Sequence, residues 1–304
     1  MDEKVLKDLL VSGYTITKIS QLNSIQKSEV KKILDNYNVI EKNKGILKEI
    51  YNDDTDQINK NIESILSKQP NSNITVQYRA LKLFLVHGYS KRSICRMIEE
   101  IPGDGNNGNS AQKIINKKYK LKEEHRGCLF LHKKDEFESI IKKILLGKDL
   151  CKKDMEINYG RFTKKYKGTY IKLDKNYEVD NLHNVLNGEL RNLIQQVFNP
   201  LKKDIGMCQY CKSKDNIENA HACGKGESRP DIFKKCVKEL NKDDYISIED
   251  LMKMFLEKHK NHKGRRTKIP PMLYLCREHH LQYDKLAENL DSDKYKEFVD
   301  KLLI

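Results

Sequence analysis

The sequence predicts a mainly helical protein that closes in a small α+β module. Three observations carry this prediction. An internal repeat places apolar residues at helical spacing, the composition changes near Asp204, and the stretch Asn216 to Ala222 alternates in the manner of a short strand.

The repeat pairs "LKDLLVSGY", Leu6 to Tyr14, with "LKLFLVHGY", Leu81 to Tyr89, identical at six of nine positions. In the first copy the spacing predicts a helix over Glu3 to Ser12, ended at Gly13, because glycine adopts a left-handed backbone without steric cost. Thr15 then caps a short helix through Leu22, a turn follows, and a third helix, Lys27 to Asn36, sets Val30, Ile33 and Leu34 on one face. This is a helix-turn-helix layout over residues 1–50. A second such module is expected over 75–123, with a helix from Ser90 to Glu100 and renewed helical spacing in "AQKIINKKYKLK". Between them "IPGDGNNGNS" replaces the tight turn with a glycine- and asparagine-rich loop. The last helix of this copy exposes Lys117, Lys118 and Lys120, which suit contacts with phosphates. A fainter third copy is read over Ile140 to Lys167, within a helical and linking region at 136–200. The connecting helix there is strongest from Leu186 to Phe198 and is ended by Pro200. Three-helix units of this sort resemble homeodomain-like modules, which lay the third helix in the major groove of DNA.

A chain of 304 residues has room for two domains, and a hydrophobic fraction of 38% against a charged fraction of 34% allows real but thin cores. Lys and Arg outnumber Asp and Glu by 58 to 44, and the resulting charge of +14 makes a polyanion the natural partner, nucleic acid above all. A membrane partner is not expected, because no apolar run approaches the ~18 residues of a spanning helix. The opening "MDEKVLKDLL" carries acids at once and no apolar stretch of a secretory signal, so a cytoplasmic location is expected. Eight cysteines in a reducing compartment are not a disulfide framework. Cys95, Cys128, Cys151 and Cys236 show no paired spacing and are expected to be ordinary thiols.

The region 201–304 carries the chemistry, with a helical insertion expected over about 230–262. Cys208 and Cys211 form a Cys-x2-Cys pair, and Cys276 with His279 a Cys-x2-His pair. Two such pairs supply the four soft or borderline ligands of a tetrahedral structural Zn²⁺, each short turn presenting two ligands to one ion. Successive helical residues point about 100° apart, so His280 faces away from that ion. Asp284, four residues on, shares its face, and imidazole and carboxylate can converge on a second divalent ion. His221 ends the predicted strand and is the candidate base. Ser247 and Asp250 form a capping box ahead of an apolar helical stretch in the insertion.

Taken in order, Cys-x2-Cys, a strand-end histidine, an intervening loop and Leu-Cys-x2-His-His-x3-Asp resemble the HNH endonucleases of the ββα-metal class, over roughly residues 205–290. The resemblance implies helix-turn-helix-like repeats followed by an HNH nuclease domain. It makes His221 the general base that activates water, and His280 and Asp284 the ligands of one catalytic Mg²⁺ or Mn²⁺. It also makes Cys208, Cys211, Cys276 and His279 the structural zinc set. Two positions depart from the family. Ala220 stands where many members place Asp or His as a metal ligand, so a further ligand comes from another residue, from water or from the DNA, or His221 is itself a ligand. The family's middle asparagine has no direct counterpart, Pro271 standing at that spacing; Asn261 and His262 are the candidates for it. Lys263, Arg265 and Arg266 then lie beside the site, placed to hold phosphates.

The expected function is metal-dependent hydrolysis of double-stranded DNA at a specific site, in restriction or defence, with a phage or homing nuclease next. A non-catalytic, zinc-stabilised DNA-binding regulator is the alternative from another class. A double-strand cut at a palindrome would suggest a homodimer.

Overall fold

The computed structural model describes residues 1–68, 74–98, 101, 109–172, 179–221, 228–240, 245–260 and 271–302, without the side chains of residues 180 and 181. The protein is mainly helical, with small two-stranded sheets toward its C-terminal end. Two compact units divide the chain. The first takes Met1–Val86, Ser90–His125 and Lys133–Glu156, and the second His87–Tyr89, Arg126–His132 and Ile157–Ile304.

The first unit opens with α1 (Asp2–Leu10), α2 (Ile16–Asn23) and α3 (Lys27–Asn36), which pack on one another through Val5, Leu6, Leu9, Ile19, Val30, Ile33 and Leu34. The caps follow the sequence. Thr15 accepts from the Lys18 amide, Ser24 closes α2 in a left-handed conformation, and Gly13 turns the chain at φ +70°. A 3-10 turn at Glu41–Asn43 leads to α4 (Ile46–Tyr51) and α5 (Thr55–Leu66), and α5 lies against α1.

The second copy repeats this order. Here α6 (Ile74–Leu85) packs on α7 (Lys91–Met97), whose cap Ser90 accepts from Ser93, and α8 (Asn109–Gln112) runs directly into a π-helix at Lys113–Lys118. The π-turn has a local cause. Tyr37 follows Ile33 by four residues, whereas Tyr119 follows the corresponding Ile114 by five. The Tyr119 amide accordingly reaches back to the Ile114 carbonyl at 3.2 Å. Once the extra residue is absorbed the copies fall into step: Asn38 and Lys120 both take φ +53°, and each copy reaches a 3-10 turn and then a left-handed glycine, Gly45 or Gly127. Those glycines meet the earlier ones. A Cβ on Gly13 would stand 3.6 Å from the Gly45 Cα, and one on Gly127 3.4 Å from the Gly88 Cα.

Next comes α9 (Lys134–Leu145), which lies against α6 as α5 lies against α1. It stops at Gly147, φ +66°, where α5 gives way to Lys68, φ +51°. The Leu145–Gly147 echo read as the start of a third copy thus has the position of the second copy's closing helix.

In the second unit, α10 (Gly160–Thr163) precedes β1 (Tyr170–Lys172) and the long α11 (Val179–Ile205). That helix runs through Pro200 rather than ending there. Proline removes one backbone hydrogen bond, but Leu201 and Ile205 beyond it are buried, and their burial favours a further turn. Then come β2 (Ile217–His221), α12 (Arg229–Leu240), β3 (Tyr245–Ser247), α13 (Ile248–Lys258), β4 (Met272–Cys276), α14 (Arg277–Leu286) and α15 (Asp293–Lys301). Both sheets are antiparallel pairs: β1 with β3, and β2 with β4 in a register that sets Ile217 opposite Cys276 and His221 opposite Met272. α12 and α13 form the expected helical insertion, and Ser247 caps α13 by accepting from Asp250 at 3.2 Å. Strands β2 and β4 carry α14, which α15 covers, over a small core of Cys208, Ala220, Leu273, Leu275, Tyr283, Ala287, Phe298 and Leu302.

The glycine pairs give a direct check. Gly13→Ala and Gly127→Ala should each cost ~1–2 kcal/mol through left-handed strain. Gly188→Ala, inside α11 with open space around it, should gain ~0.5–1 kcal/mol. Urea unfolding followed by circular dichroism reads all three, and an unchanged midpoint for Gly127→Ala contradicts left-handed strain at that position.

Candidate metal centre

The zinc set predicted from spacing is brought together. One ligand atom from each of Cys208, Cys211, Cys276 and His279 lies within 4.8 Å of the others. Cys211 Sγ stands 4.0 Å from Cys276 Sγ, and Cys276 Sγ 3.0 Å from His279 Nδ1. A tetrahedral zinc needs sulfurs roughly 3.8 Å apart. The donor set therefore fits a structural Zn²⁺. Burial alone would raise the Cys208 thiol, but the amides of Cys211, Cys276 and Tyr210 point at its sulfur and hold its pKa below the ordinary value. Partial burial of the Cys211 sulfur, and then the neighbouring Cys208, push the Cys211 thiol up to about 11.

The fold supports these ligands from several sides. Cys276 ends β4 and is also the N-cap of α14. Gln209, wholly buried between the two knuckle cysteines, pairs with β4 on both edges of Tyr274. Its amide donates to the Tyr274 carbonyl at 2.8 Å, and its Oε1 accepts from the Tyr274 amide at 2.6 Å. Gln209 Nε2 also donates to the Tyr89 hydroxyl at 2.9 Å. The Tyr210 ring packs against both His279, 4.5 Å between centroids, and Phe298, 4.4 Å.

On the next residue of α14, His280 turns to different company. Its Nδ1 donates to Glu218 Oε2 at 2.7 Å, and its Nε2 lies 3.6 Å from Asp284 Oδ2. Glu218 also accepts from Arg277 Nη1 at 3.3 Å. Hydrogen bonding and charge from His280, and then Arg277, hold the Glu218 carboxyl below the ordinary carboxylate range. With Nδ1–H committed to Glu218, His280 presents Nε2 toward Asp284. At that separation the imidazole nitrogen and the carboxylate oxygen are too far apart for a hydrogen bond between them. Sequence reasoning missed Glu218, although it lies two residues before Ala220 and hence on the same face of the strand.

The alternation along β2 settles where its other residues point. Ala220, wholly buried, faces the core beneath α14, which is why no ligand stands there: a carboxylate at that position would lose its hydration. Asn219 and His221 face the other way. Asn219 donates to Asn199 of α11 at 2.7 Å, and His221 Nε2 lies 3.3 Å from Nε2 of His259. His259, buried at the end of α13, gives its Nδ1–H to the Phe255 carbonyl at 2.6 Å. Its one sequence signal is position, since 248, 251, 252, 255 and 259 form the apolar stripe of α13.

Asn261, His262, Lys263, Arg265 and Arg266 lie outside the described residues. Lys117, Lys118 and Lys120 are exposed, and the Lys118 ammonium donates to Gln77 Oε1 at 2.7 Å. Cys95, Cys128 and Cys236 are buried and Cys151 is exposed. Burial pushes the thiols of Cys128 and Cys236 up to about 12, which leaves them inert near neutral pH. Among the described residues no helix is long and apolar enough to cross a membrane. Comparison with family models, curated proteins and solved structures finds no match.

A raised Cys211 thiol holds its proton at neutral pH without metal, so zinc must displace that proton. Zinc affinity should therefore rise with pH through the neutral range and fall toward acid. Calorimetry in buffers of different ionisation enthalpy should record proton release. Cys208→Ala should lose the bound zinc and unfold the β2–β4–α14 module; full zinc content with an unchanged melting profile refutes the assignment.

Proposed function

We propose that this protein is a metal-dependent endonuclease of the HNH type acting on double-stranded DNA. The observation that carries the proposal is one strand pair and one helix, β2, β4 and α14, holding two separate donor sets: a four-ligand zinc cluster, and His280 with Asp284 beside it. Strand, strand and helix in this order, with a histidine at the end of the first strand, are what the ββα-metal resemblance implies.

In this reading His280 Nε2 and Asp284 hold one Mg²⁺ or Mn²⁺, which when bound neutralises charge on the phosphate and on the leaving 3′ oxygen. Glu218 keeps the proton on His280 Nδ1, so that Nε2 remains a ligand. His221 takes the proton from the attacking water, and the products carry a 5′-phosphate and a 3′-hydroxyl. His221 and Glu218 face opposite sides of β2, so this reading requires the scissile phosphate to bridge the two faces, with His221 on one and the ion on the other. The exposed lysines of 113–122, a stretch with five lysines and no acid, supply phosphate contacts.

The burial of Ala220 favours a second reading, a zinc-stabilised DNA-binding regulator with no catalytic metal. Incubating plasmid and phage DNA with Mg²⁺, Mn²⁺ or chelator separates the two. Cleavage should require metal and fall by ~10²–10⁴ in His221→Ala with DNA affinity retained; tight binding with no cleavage of any substrate favours the regulator. Glu218→Gln should weaken Mn²⁺ binding by ~10–100-fold, read by the paramagnetic signal of the free ion. Unchanged affinity removes Glu218 from its supporting role.

A further inference from the structure

The insertion between β2 and β4 brings the ring of His259 to the strand-end histidine, Nε2 to Nε2 at 3.3 Å. We infer that His259 is a positioning residue that selects the tautomer of His221 and aims its Nδ1 at the reacting water. The inference rests on the nuclease reading, in which His221 is the base.

The argument starts from the carbonyl of Phe255. A carbonyl oxygen only accepts, so the 2.6 Å contact requires a proton on His259 Nδ1. A neutral His259 then has a lone pair, and no proton, at Nε2. The facing atom 3.3 Å away is His221 Nε2, which must donate for the contact to be a hydrogen bond. His221 is thereby held with its proton on Nε2 and its lone pair on Nδ1. Carbonyl, histidine and base thus form a chain that fixes which nitrogen can take a proton, in the manner of a third group orienting the base of a catalytic pair.

The surroundings suit this role. His259 is about 1% exposed and is clasped by the rings of Phe255, 4.5 Å between centroids, and Phe198, 6.2 Å. Its ring meets that of His221 edge-on, at 71° and 5.4 Å. A buried, packed ring has few rotamers to lose, so it serves as a rigid reference for a partly exposed one. Asn261 and His262, the sequence-based candidates for the family's middle asparagine, follow it by two and three residues in the chain.

The test uses the full chain with zinc bound. His259→Phe keeps an aromatic ring against Phe198 and Phe255 but offers His221 no acceptor. It should fold as the wild type does, bind DNA with unchanged Kd, and cleave roughly ten- to a hundredfold more slowly in single turnover, a part of the ~10²–10⁴ a general base supplies. His259→Gln, which restores an oxygen near the Nε2 position, should recover part of that loss. Imidazole ¹⁵N spectra read the tautomers without reference to activity. The wild type should show His259 protonated on Nδ1 and His221 on Nε2, and His259→Phe should give a mixture at His221. Wild-type cleavage kinetics in folded His259→Phe overturn the inference, as does a His221 ring protonated on Nδ1 in the wild type. If the wild type cleaves no DNA, the nuclease reading fails by itself, and the spectra still decide whether His259 selects the tautomer.

Discussion

Cys276 is the residue on which the second unit turns. It is the last residue of β4, the N-cap of α14 and a member of the four-ligand cluster. Holding its sulfur relative to Cys208 and Cys211 fixes where the strand stops and in which direction the helix starts. The helix period then separates His279, aimed at the cluster, from His280, aimed at Glu218 and Asp284. The apolar core beneath is small, and such a core gains from a metal staple, whose binding free energy becomes folding free energy. The placing of His280, Glu218 and Asp284 depends on helix direction and therefore on the cluster.

The same geometry explains the distribution of acids. A carboxylate belongs where its charge is compensated, and the core side of β2 at position 220 belongs to an apolar cluster that includes Leu273, Leu275 and Tyr283. Two residues earlier the strand reaches the rim, where Glu218 meets both His280 and Arg277. The acid that supports the helix histidine thus stands at the nearest position of that face where it keeps partial hydration. Displacement by two residues preserves the face, whereas displacement by one would have reversed it.

The convergence of Cys208, Cys211, Cys276 and His279 was legible in the sequence because pair spacing is a local property: each turn presents two ligands whatever the chain does between them. The first repeat was legible for a similar reason, and the third helix at Lys27–Asn36 coincides with its apolar spacing. What stayed hidden depended on register or on distant partners. The π-turn at Lys113–Lys118 follows from one extra residue, visible only when the two copies are aligned through Gly45 and Gly127. The persistence of α11 past Pro200 depends on what Leu201 and Ile205 pack against. Glu218 needed the strand face to be tracked backward from Ala220. His259 lay on an apolar stripe where any packed residue would satisfy the pattern, and its partner lies 38 positions away.

The duplicated turn shows how the same residues come to serve different ends. Gly13-Tyr14 and Gly88-Tyr89 occupy matching positions, and both glycines take the left-handed conformation. Tyr14 is 39% exposed, whereas Tyr89 is buried and accepts from Gln209, which lies between Cys208 and Cys211. Burial of Tyr89 raises the pKa of its hydroxyl, so it stays protonated and neutral beside Gln209. The repeat therefore preserves a backbone path, set by glycines that pack Cα to Cα, rather than a side-chain task. A tyrosine on that path is free to diverge from surface residue to buried acceptor, and in the second copy its hydroxyl helps to position the loop that carries Cys208 and Cys211.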